Sequence, residues 1–329
     1  MELPRRQFLH LATGAAALPA LSRVARAQTY PSRPITVIVP YAAGGGTDVT
    51  ARLVAQRMRA PLGQPVIVEN VTGAGGSIGA GRVARAAPDG YTINLGQIGS
   101  HVLPGAMYPL QYDLLNDFEP IALLATDPLL VLAKSGISAG DLQGLIAWSK
   151  ANPDKAAMGH SGFGGMSHVA GVLFQKESGT RFRLVPYRGA APALQDLAAG
   201  HIDLQITDAA TSLPGVRAGL VKALAITANA RLPSLPNVPT VDEAGLPGFY
   251  LSVWYALWAP RGTSKDVIAK LNAAAVEALA DPGVRARLAD LDQVIVPREQ
   301  QTPEALRAFQ KAEVEKWWPI IKGAGIKAE

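Results

Sequence analysis

Short β-branched or leucine-rich runs alternate along the chain with longer, alanine-rich stretches of mixed polarity. The short runs are mostly apolar throughout, as strands covered on both faces of a largely parallel sheet should be. They predict strands over Ile35–Val39, Val66–Glu69, Tyr91–Leu95, Ile121–Ala125, Leu129–Ala133, Ala156–Met158, Leu184–Val185, Leu204–Thr207, Ala223–Ile226, Val253–Trp258 and Val294–Val296. The alanine-rich stretches predict helices over Thr47–Met58, Ile78–Ala86, Asp141–Ala151, Met166–Glu177, Ala190–Ala199, Ser264–Ala280, Gly283–Leu288 and Pro303–Gly323. The pattern is that of an α/β protein.

The chain has room for two domains, since it contains 329 residues. It has no solenoid-type repeat, charge block or low-complexity linker, so ordered crossings must join the domains. The strand doublet at Ile121–Ala133 and the return near Phe249–Trp258 are the predicted crossings. One discontinuous lobe would then comprise residues 28–127 plus 253–329, and residues 128–252 would form an inserted second lobe. Two lobes joined in this way predict a hinge and a ligand in the cleft between them.

The first 27 residues form an expected export signal, and the predicted cleavage site follows Ala27. This prediction rests on three features: a charged start, an apolar middle too short to span a bilayer, and small residues at the A-x-A positions. The string Arg5-Arg6-Gln7-Phe8-Leu9 resembles a twin-arginine signal, with an ordinary secretory signal as the alternative. Either interpretation places the mature protein outside the cytoplasm, in the periplasm, and the absence of cysteine suits an oxidising compartment.

Charge and composition exclude several classes of function. The net charge is +5, but the first 27 residues carry four arginines and one glutamate, so a net charge of only +2 remains for the rest. No dense basic stripe is present, which argues against nucleic-acid binding. The absence of cysteine removes disulfides, thiol catalysis and iron–sulfur clusters. The five histidines show no metal-binding spacing, so we expect neither a metal nor another cofactor.

Three glycine-rich segments each follow a predicted strand and open a predicted helix. They are Pro40–Asp48, Asn70–Gly81 and Gly159–His168. Glycine lets the backbone approach a ligand closely, and the first amides of a helix attract an anion. Because these segments belong to both predicted lobes, they are expected to face each other across one cleft.

Nucleotide and hydrolase motifs fit these segments poorly. A dinucleotide fingerprint would require glycine where Val49 or Ile78 stands, and no P-loop occurs. Gly75–Gly79 formally matches the G-x-S-x-G nucleophile elbow, which leaves a periplasmic serine hydrolase using Ser77 as an alternative. Ser77 lies too far from the preceding strand for a tight elbow, however, so we expect a binding protein rather than an enzyme.

Several strings spread over the mature chain closely resemble the Bug receptors, the TctC-like periplasmic solute-binding proteins of tripartite tricarboxylate transporters. These strings are Tyr30–Ile35, Val39–Asp48, Glu69–Gly76, Ala86–Thr92, Asp117–Pro120, Val185–Gly189, Pro236–Gly245 and Ala259–Thr263. The resemblance implies a two-lobed periplasmic-binding-protein fold, of the Venus-flytrap, type II-like kind, with two hinge crossings. It implies hinge closure on a small carboxylate, for tripartite tricarboxylate-type uptake or for sensing.

The resemblance also implies the ligand contacts. In the first lobe they would be Tyr41, Gly44, Gly45, Asp48, Ser77, Gln97 and His101. In the second lobe they would be Ser161, Gly162, Gly164, Ser167, His168, Tyr187 and Asp208. Gln97, Phe163 and Asp208 depart from the family pattern: the first two favour an aromatic or longer apolar acid, whereas an acidic Asp208 favours a ligand that carries an amine.

The expected partners are therefore a mono- or dicarboxylate, an aromatic acid or an amino acid, together with membrane transporter subunits or a sensor domain. We expect a monomer. A protein-interaction or sensor module with the same fold is a further alternative; its cleft would stay empty across a panel of acids.

Overall fold

The computed structural model describes residues 30–153 and 155–327. The predicted export signal lies outside the described residues. Within the described ranges, no helix is both long and apolar enough to cross a membrane. The strands are β1 (Ile35–Val39), β2 (Val66–Asn70), β3 (Thr92–Gln97), β4 (Phe118–Lys134), β5 (Ala157–His160), β6 (Arg183–Pro186), β7 (Leu204–Asp208), β8 (Val221–Ile226), β9 (Ser252–Pro260) and β10 (Val294–Ile295).

The helices alternate with these strands, which confirms the predicted α/β class. They are α1 (Gly46–Leu62), α2 (Ser77–Ala84), α3 (Ile98–His101), α4 (Leu142–Ala151), α5 (Met166–Ser178), α6 (Ala190–Ala199), α7 (Ala209–Arg217), α8 (Lys265–Ala280), α9 (Pro282–Ala289) and α10 (Pro303–Gly323). Short 3-10 turns occupy Ala74–Gly76, Leu103–Ala106 and Arg298–Gln300.

Two groups of strands share the long strand β4. The first group has the order β2-β1-β3-β9-β4; β1 is parallel to β2 and β3, and β9 is antiparallel to β3 and β4. The second group has the order β4-β7-β5-β6, with β8 also paired to β4. We refer to the elements around the first group as the first lobe and those around the second as the second lobe.

Strand β4 joins two runs that the sequence predicts as separate strands. Thr126, Asp127 and Pro128 resemble a turn, but all three continue the pairing with β9. From Leu129 onward the same strand pairs with β7 and β8 instead. Thr227 connects the chain segments at this point, because its Oγ1 donates to the carbonyl of Leu129 (2.9 Å) and to that of Leu251 (2.6 Å). The chain thus crosses between the lobes within β4 and again just before β9.

Helix α7 is absent from the sequence prediction. Pro214 and Gly215 stand within its nine residues, and both disfavour helix interiors. Two carboxylates at the start of the helix compensate, because Asp127 accepts from the amides of Ala209 and Ala210 and Asp208 accepts from that of Thr211. Since Asp127 is distant in sequence, this cap depends on the tertiary fold.

A buried polar cluster fastens α10 to the first lobe. Gln310 is 2% exposed; its Nε2 donates to the carbonyls of His101 (2.9 Å) and Leu114 (3.0 Å), and its Oε1 accepts from Trp258 Nε1 (3.1 Å). The His101 ring stacks on that of Trp258 with centroids 3.8 Å apart. His101 therefore lies in the core of the first lobe, whereas the family resemblance implied a ligand contact.

Replacing Gln310 with methionine should destabilise the protein strongly. Gln310→Met keeps the volume but leaves two buried carbonyls and one indole N–H without partners, at a cost of roughly 3 kcal/mol or more in the free energy of unfolding. Urea unfolding measures the loss. The matched control is Gln143→Met, because exposed Gln143 donates to the carbonyl of Ala244 at the surface and should cost less than about 1 kcal/mol. Equal losses would contradict this account.

The pH dependence of stability should report the burial of His101. Burial lowers the pKa of this histidine from 6.5 to about 3, so the folded state resists protonation. Its contribution to stability is complete above pH 6.5 and is lost as the pH falls towards 3, by about 1.4 kcal/mol per pH unit. Urea unfolding of the wild type and of His101→Asn between pH 7 and 4 should show a shallower decline in the variant. Parallel declines would contradict the prediction.

Candidate functional site

The first glycine segment forms a tight loop that Asp48 organises from inside. Asp48 is 2% exposed, and its carboxylate accepts from Gly44 N (3.0 Å), Arg52 Nε (2.9 Å) and Asn70 Nδ2 (2.9 Å). Burial would raise the pKa of this carboxyl, but the hydrogen bonds from Arg52, Gly44 and Asn70 lower that pKa below its ordinary value. Asp48 thus shapes the loop, and its oxygens are occupied by protein donors.

A small cavity of about 20 Å³ lies between the lobes, with room for about one water. Its first-lobe walls come from the loop before α1, from the first turn of α1 and from the ends of β3 and β9. Its second-lobe walls come from the starts of α5, α6 and α7. The lining residues are Tyr41, Ala42, Gly45, Gly46, Thr47, Gln97, Leu129, Ser161, Met166, Ser167, Ala190, Thr207, Asp208, Thr211 and Val253.

The lobes approach each other closely around this cavity. Gly46 N donates across the cleft to Thr211 Oγ1 at 2.8 Å, and Ala42 N donates to the carbonyl of Arg188 at 3.2 Å. A Cβ on Gly46 would overlap the Asp208 carboxylate, and one on Gly75 would overlap the carbonyl of Phe163. Glycine at positions 46 and 75 is therefore what allows the lobes to close to this distance.

Most helix starts at the cleft lack the capping side chain found at helix starts elsewhere, and α7 is the exception. Among the described helices longer than four residues, the ones without a capping side chain are α1, α2, α5 and α6; their N-caps are glycines, and all four begin at the cleft. Helices α4, α7, α8, α9 and α10 are capped by an aspartate, serine or threonine side chain. No described group accepts from the amides of Thr47 or Ser167, which belong to first turns in opposite lobes. These amides can receive an anion.

A larger chamber of about 700 Å³ adjoins the small cavity and shares Tyr41 and Ser161 with it. Aromatic rings and glycine backbone dominate its walls. The remaining lining residues are Pro40, Gly73, Ala74, Gly75, Gly76, Tyr108, Gly162, Phe163, Pro186, Tyr187, Arg188 and Pro192. Tyr108 closes one side, because its hydroxyl donates across the cleft to the carbonyl of Phe163 at 2.9 Å.

The structure brings most of the predicted site residues to these two cavities. Those lining the small cavity are Tyr41, Gly45, Gln97, Ser161, Ser167 and Asp208, and the chamber adds Gly162 and Tyr187. The ones that line neither cavity are Gly44, Asp48, Ser77, His101, Gly164 and His168. His168 instead supports the third glycine segment: its Nδ1 lies 3.3 Å from Gly164 N, and burial lowers its pKa to about 4.

Ser77 shows no arrangement for nucleophilic catalysis. Its hydroxyl donates to the carbonyl of Ala74 at 2.9 Å, and its own carbonyl accepts from Tyr112. Neither contact supplies the general base that a serine nucleophile requires. The geometry therefore gives no support to the hydrolase alternative.

Sequence reasoning missed several lining residues. Gly46 and Thr47 stand one and two places after the predicted contact Gly45, and Thr207 and Thr211 flank the undetected start of α7. In α/β proteins the cleft is lined by the ends of strands and by the starts of the helices that follow them. Applied to this sequence, that rule identifies these residues. Gly46 approaches the second lobe more closely than Gly45 does.

Comparisons with known proteins agree with this architecture. The family "Tripartite tricarboxylate transporter family receptor" (TctC) matches residues 50–326. The chain is 44% identical over 304 residues to the "UPF0065 protein in the TAR-I ttuE-ttuC' intergenic region" of Agrobacterium vitis, covering 92% of this chain and 88% of that one.

Solved structures confirm the predicted two-lobed fold. The periplasmic binding protein BugD superposes with a TM-score of 0.88 at 38% identity, covering 91% of this chain and 100% of that one. MatC from Rhodopseudomonas palustris, solved with bound malate, superposes with a TM-score of 0.86 at 41% identity, covering 89% and 100%. The chain therefore belongs to the tripartite tricarboxylate transporter receptor family and has the fold of its periplasmic binding proteins.

Proposed function

We propose that the protein captures a small organic acid between its lobes, with the ligand carboxylate held by the first turns of α1 and α5. The observation that carries this proposal is the convergence of helix starts without capping side chains on the cleft, with the Thr47 and Ser167 amides in opposite walls. A carboxylate would satisfy these amides and the positive helix ends, each typically worth about 0.3–1 kcal/mol. No cationic side chain is then needed for the grip.

The two cavities suit the two parts of such a ligand. The small cavity offers unpaired amide donors for a carboxylate group, and the adjoining chamber has room for the rest of the molecule. MatC, a structural neighbour of high similarity, was solved with malate. This supports a small carboxylic acid as the ligand class.

We infer hinge closure from the topology. Strand β4 changes partners between Pro128 and Leu129, and β9 begins at Ser252. Both points lie within one residue of the proposed lobe boundaries at 127/128 and 252/253. A ligand that bonds to both lobes stabilises only the closed form and so drives closure. In this proposal the mature protein works in the periplasm, after cleavage following Ala27, and delivers its ligand to the membrane subunits of a tripartite tricarboxylate transporter.

A competing carboxylate at the start of α1 should abolish binding without harming the fold. Gly45 has φ −80° and ψ 166°, a conformation that suits an aspartate N-cap. In Gly45→Asp the new side chain should bond to the amides meant for the ligand. The free energy of unfolding of the ligand-free protein should stay constant or rise by a few tenths of a kcal/mol. Affinity should fall about 100-fold or more, because the ligand loses its donors and meets a like charge.

The test of this prediction begins with a search for a ligand. Thermal unfolding is measured in the presence of mono- and dicarboxylic, aromatic and amino acids, because a ligand at 100 times its Kd stabilises the folded state by about 2.7 kcal/mol. Calorimetry with that binder then compares Gly45→Asp with the control Gly45→Ala. A Cβ at position 45 has its nearest neighbour at 3.7 Å, so the alanine variant should bind within tenfold of the wild type. If the aspartate variant binds with wild-type affinity, the proposal that the first-turn amides of α1 and α5 bind the ligand carboxylate is refuted.

A further inference from the structure

The small cavity contains a carboxylate of its own. Asp208 lines the cavity and is 7% exposed. Its Oδ1 accepts from Thr211 N (2.9 Å) and Thr211 Oγ1 (2.7 Å), and its Oδ2 accepts from Thr207 Oγ1, at 3.2 Å, as its single partner among the described residues. None of the described residues that line this cavity is a lysine, arginine or histidine. A bare carboxylic acid entering the cavity would thus meet an acidic wall without a compensating cation.

A second buried carboxyl group, that of Asp127, lies behind the first, and none of its described hydrogen-bond partners is a cation. Asp127 has no exposed surface and is bonded to the amides of Ala209 and Ala210 and to the Tyr255 hydroxyl (3.0 Å). Burial and the negative charge of Asp208 raise the pKa of Asp127 well above its ordinary value. Asp127 and Asp208 also occupy the first amides of α7, so this helix start offers nothing to an anion.

Gln97 adds an acceptor on the opposite wall. It is 7% exposed and lines the cavity; its Nε2 donates to Thr47 Oγ1 at 3.2 Å, while its Oε1 is buried and has no hydrogen-bond partner within the described part of the chain. An unsatisfied buried acceptor is costly unless a bound molecule supplies a donor. Asp208 from the second lobe and Gln97 from the first therefore both require a donor from the ligand.

We propose that the ligand is an α-amino acid, whose ammonium group lies between Asp208 and Gln97 while its carboxylate binds the α1 and α5 amides. This inference rests on the proposed function and specifies its substrate class. Three donors on the ammonium match the acceptors of both walls, and its positive charge offsets Asp208. A hydroxyl at the same carbon would supply one donor and no charge, and a hydrogen would supply neither. The side chain of the amino acid would extend into the larger chamber.

Two matched ligand series test the inference by calorimetry. The first is aspartate, malate and succinate; the second is phenylalanine, phenyllactate and 3-phenylpropionate. Within the series that binds, the amino acid should bind at least tenfold more tightly than the hydroxy acid, and the unsubstituted acid should bind most weakly. If the unsubstituted acid binds as tightly as its amino counterpart, the inference is overturned and the proposed function stands. If neither series binds, the proposed function is itself refuted for such acids.

The variant Asp208→Asn tests whether Asp208 causes the preference for the amino acid over the hydroxy acid. Asparagine is as good an N-cap as aspartate, so α7 should persist, and thermal unfolding of the ligand-free variant checks this. The affinity ratio of amino acid to hydroxy acid should fall at least tenfold. The matched control Asp141→Asn makes the same change at the N-cap of α4, where the Asp141 side chain accepts from Gly144 N, and should leave the ratio unchanged. An unchanged ratio in a folded Asp208→Asn would overturn the inference.

Discussion

Unpaired backbone amides at facing helix starts are the interaction on which the rest of this structure depends. In most helices a side chain satisfies the first amides, and the helices of this protein that begin away from the cleft follow that rule. At the cleft the N-caps of α1, α2, α5 and α6 are glycines, whereas α7 is capped by aspartate, and among the described residues nothing pairs with the amides of Thr47 and Ser167. These amides therefore lie where only a bound anion, or water, can accept their hydrogen bonds.

This arrangement requires the two lobes to come very close. Gly46 and Gly75 lie where any side chain would collide with the opposite lobe, so the walls of the cleft are mostly backbone. The continuous strand β4 sets the geometry of approach, because it belongs to the sheets of both lobes and changes partners within a single residue step. In the proposed function, bending at this junction would move the lobes relative to each other.

In the proposed site, the acidic side of the cavity would distinguish recognition of a particular ligand from simple capture of an anion. Helix starts provide positive potential without a full charge, and Asp208 places a full negative charge a short distance away. A site of this kind rejects a bare anion more strongly than a zwitterion. Specificity would then come from a single carboxylate at the N-cap of α7, while backbone amides alone would hold the carboxylate of the ligand.

The sequence alone determined the local features of this protein. Hydrophobic periodicity located nearly all strands and helices, Thr302 and Pro303 marked the start of α10, and the three glycine segments marked where backbone would face a ligand. These features depend on residues close together in the chain, so their pattern can be predicted without knowledge of the fold.

Tertiary structure decided the rest. The family resemblance implied ligand contacts at His101 and Asp48, yet His101 packs on Trp258 and Asp48 binds its own loop, because the direction of a side chain depends on what packs against it. Helix α7 forms despite Pro214 because Asp127, 82 residues away, caps it. Thr211 joins the site only because the second lobe folds back over α1. Contacts between distant segments have no local signature, and these contacts form the cleft.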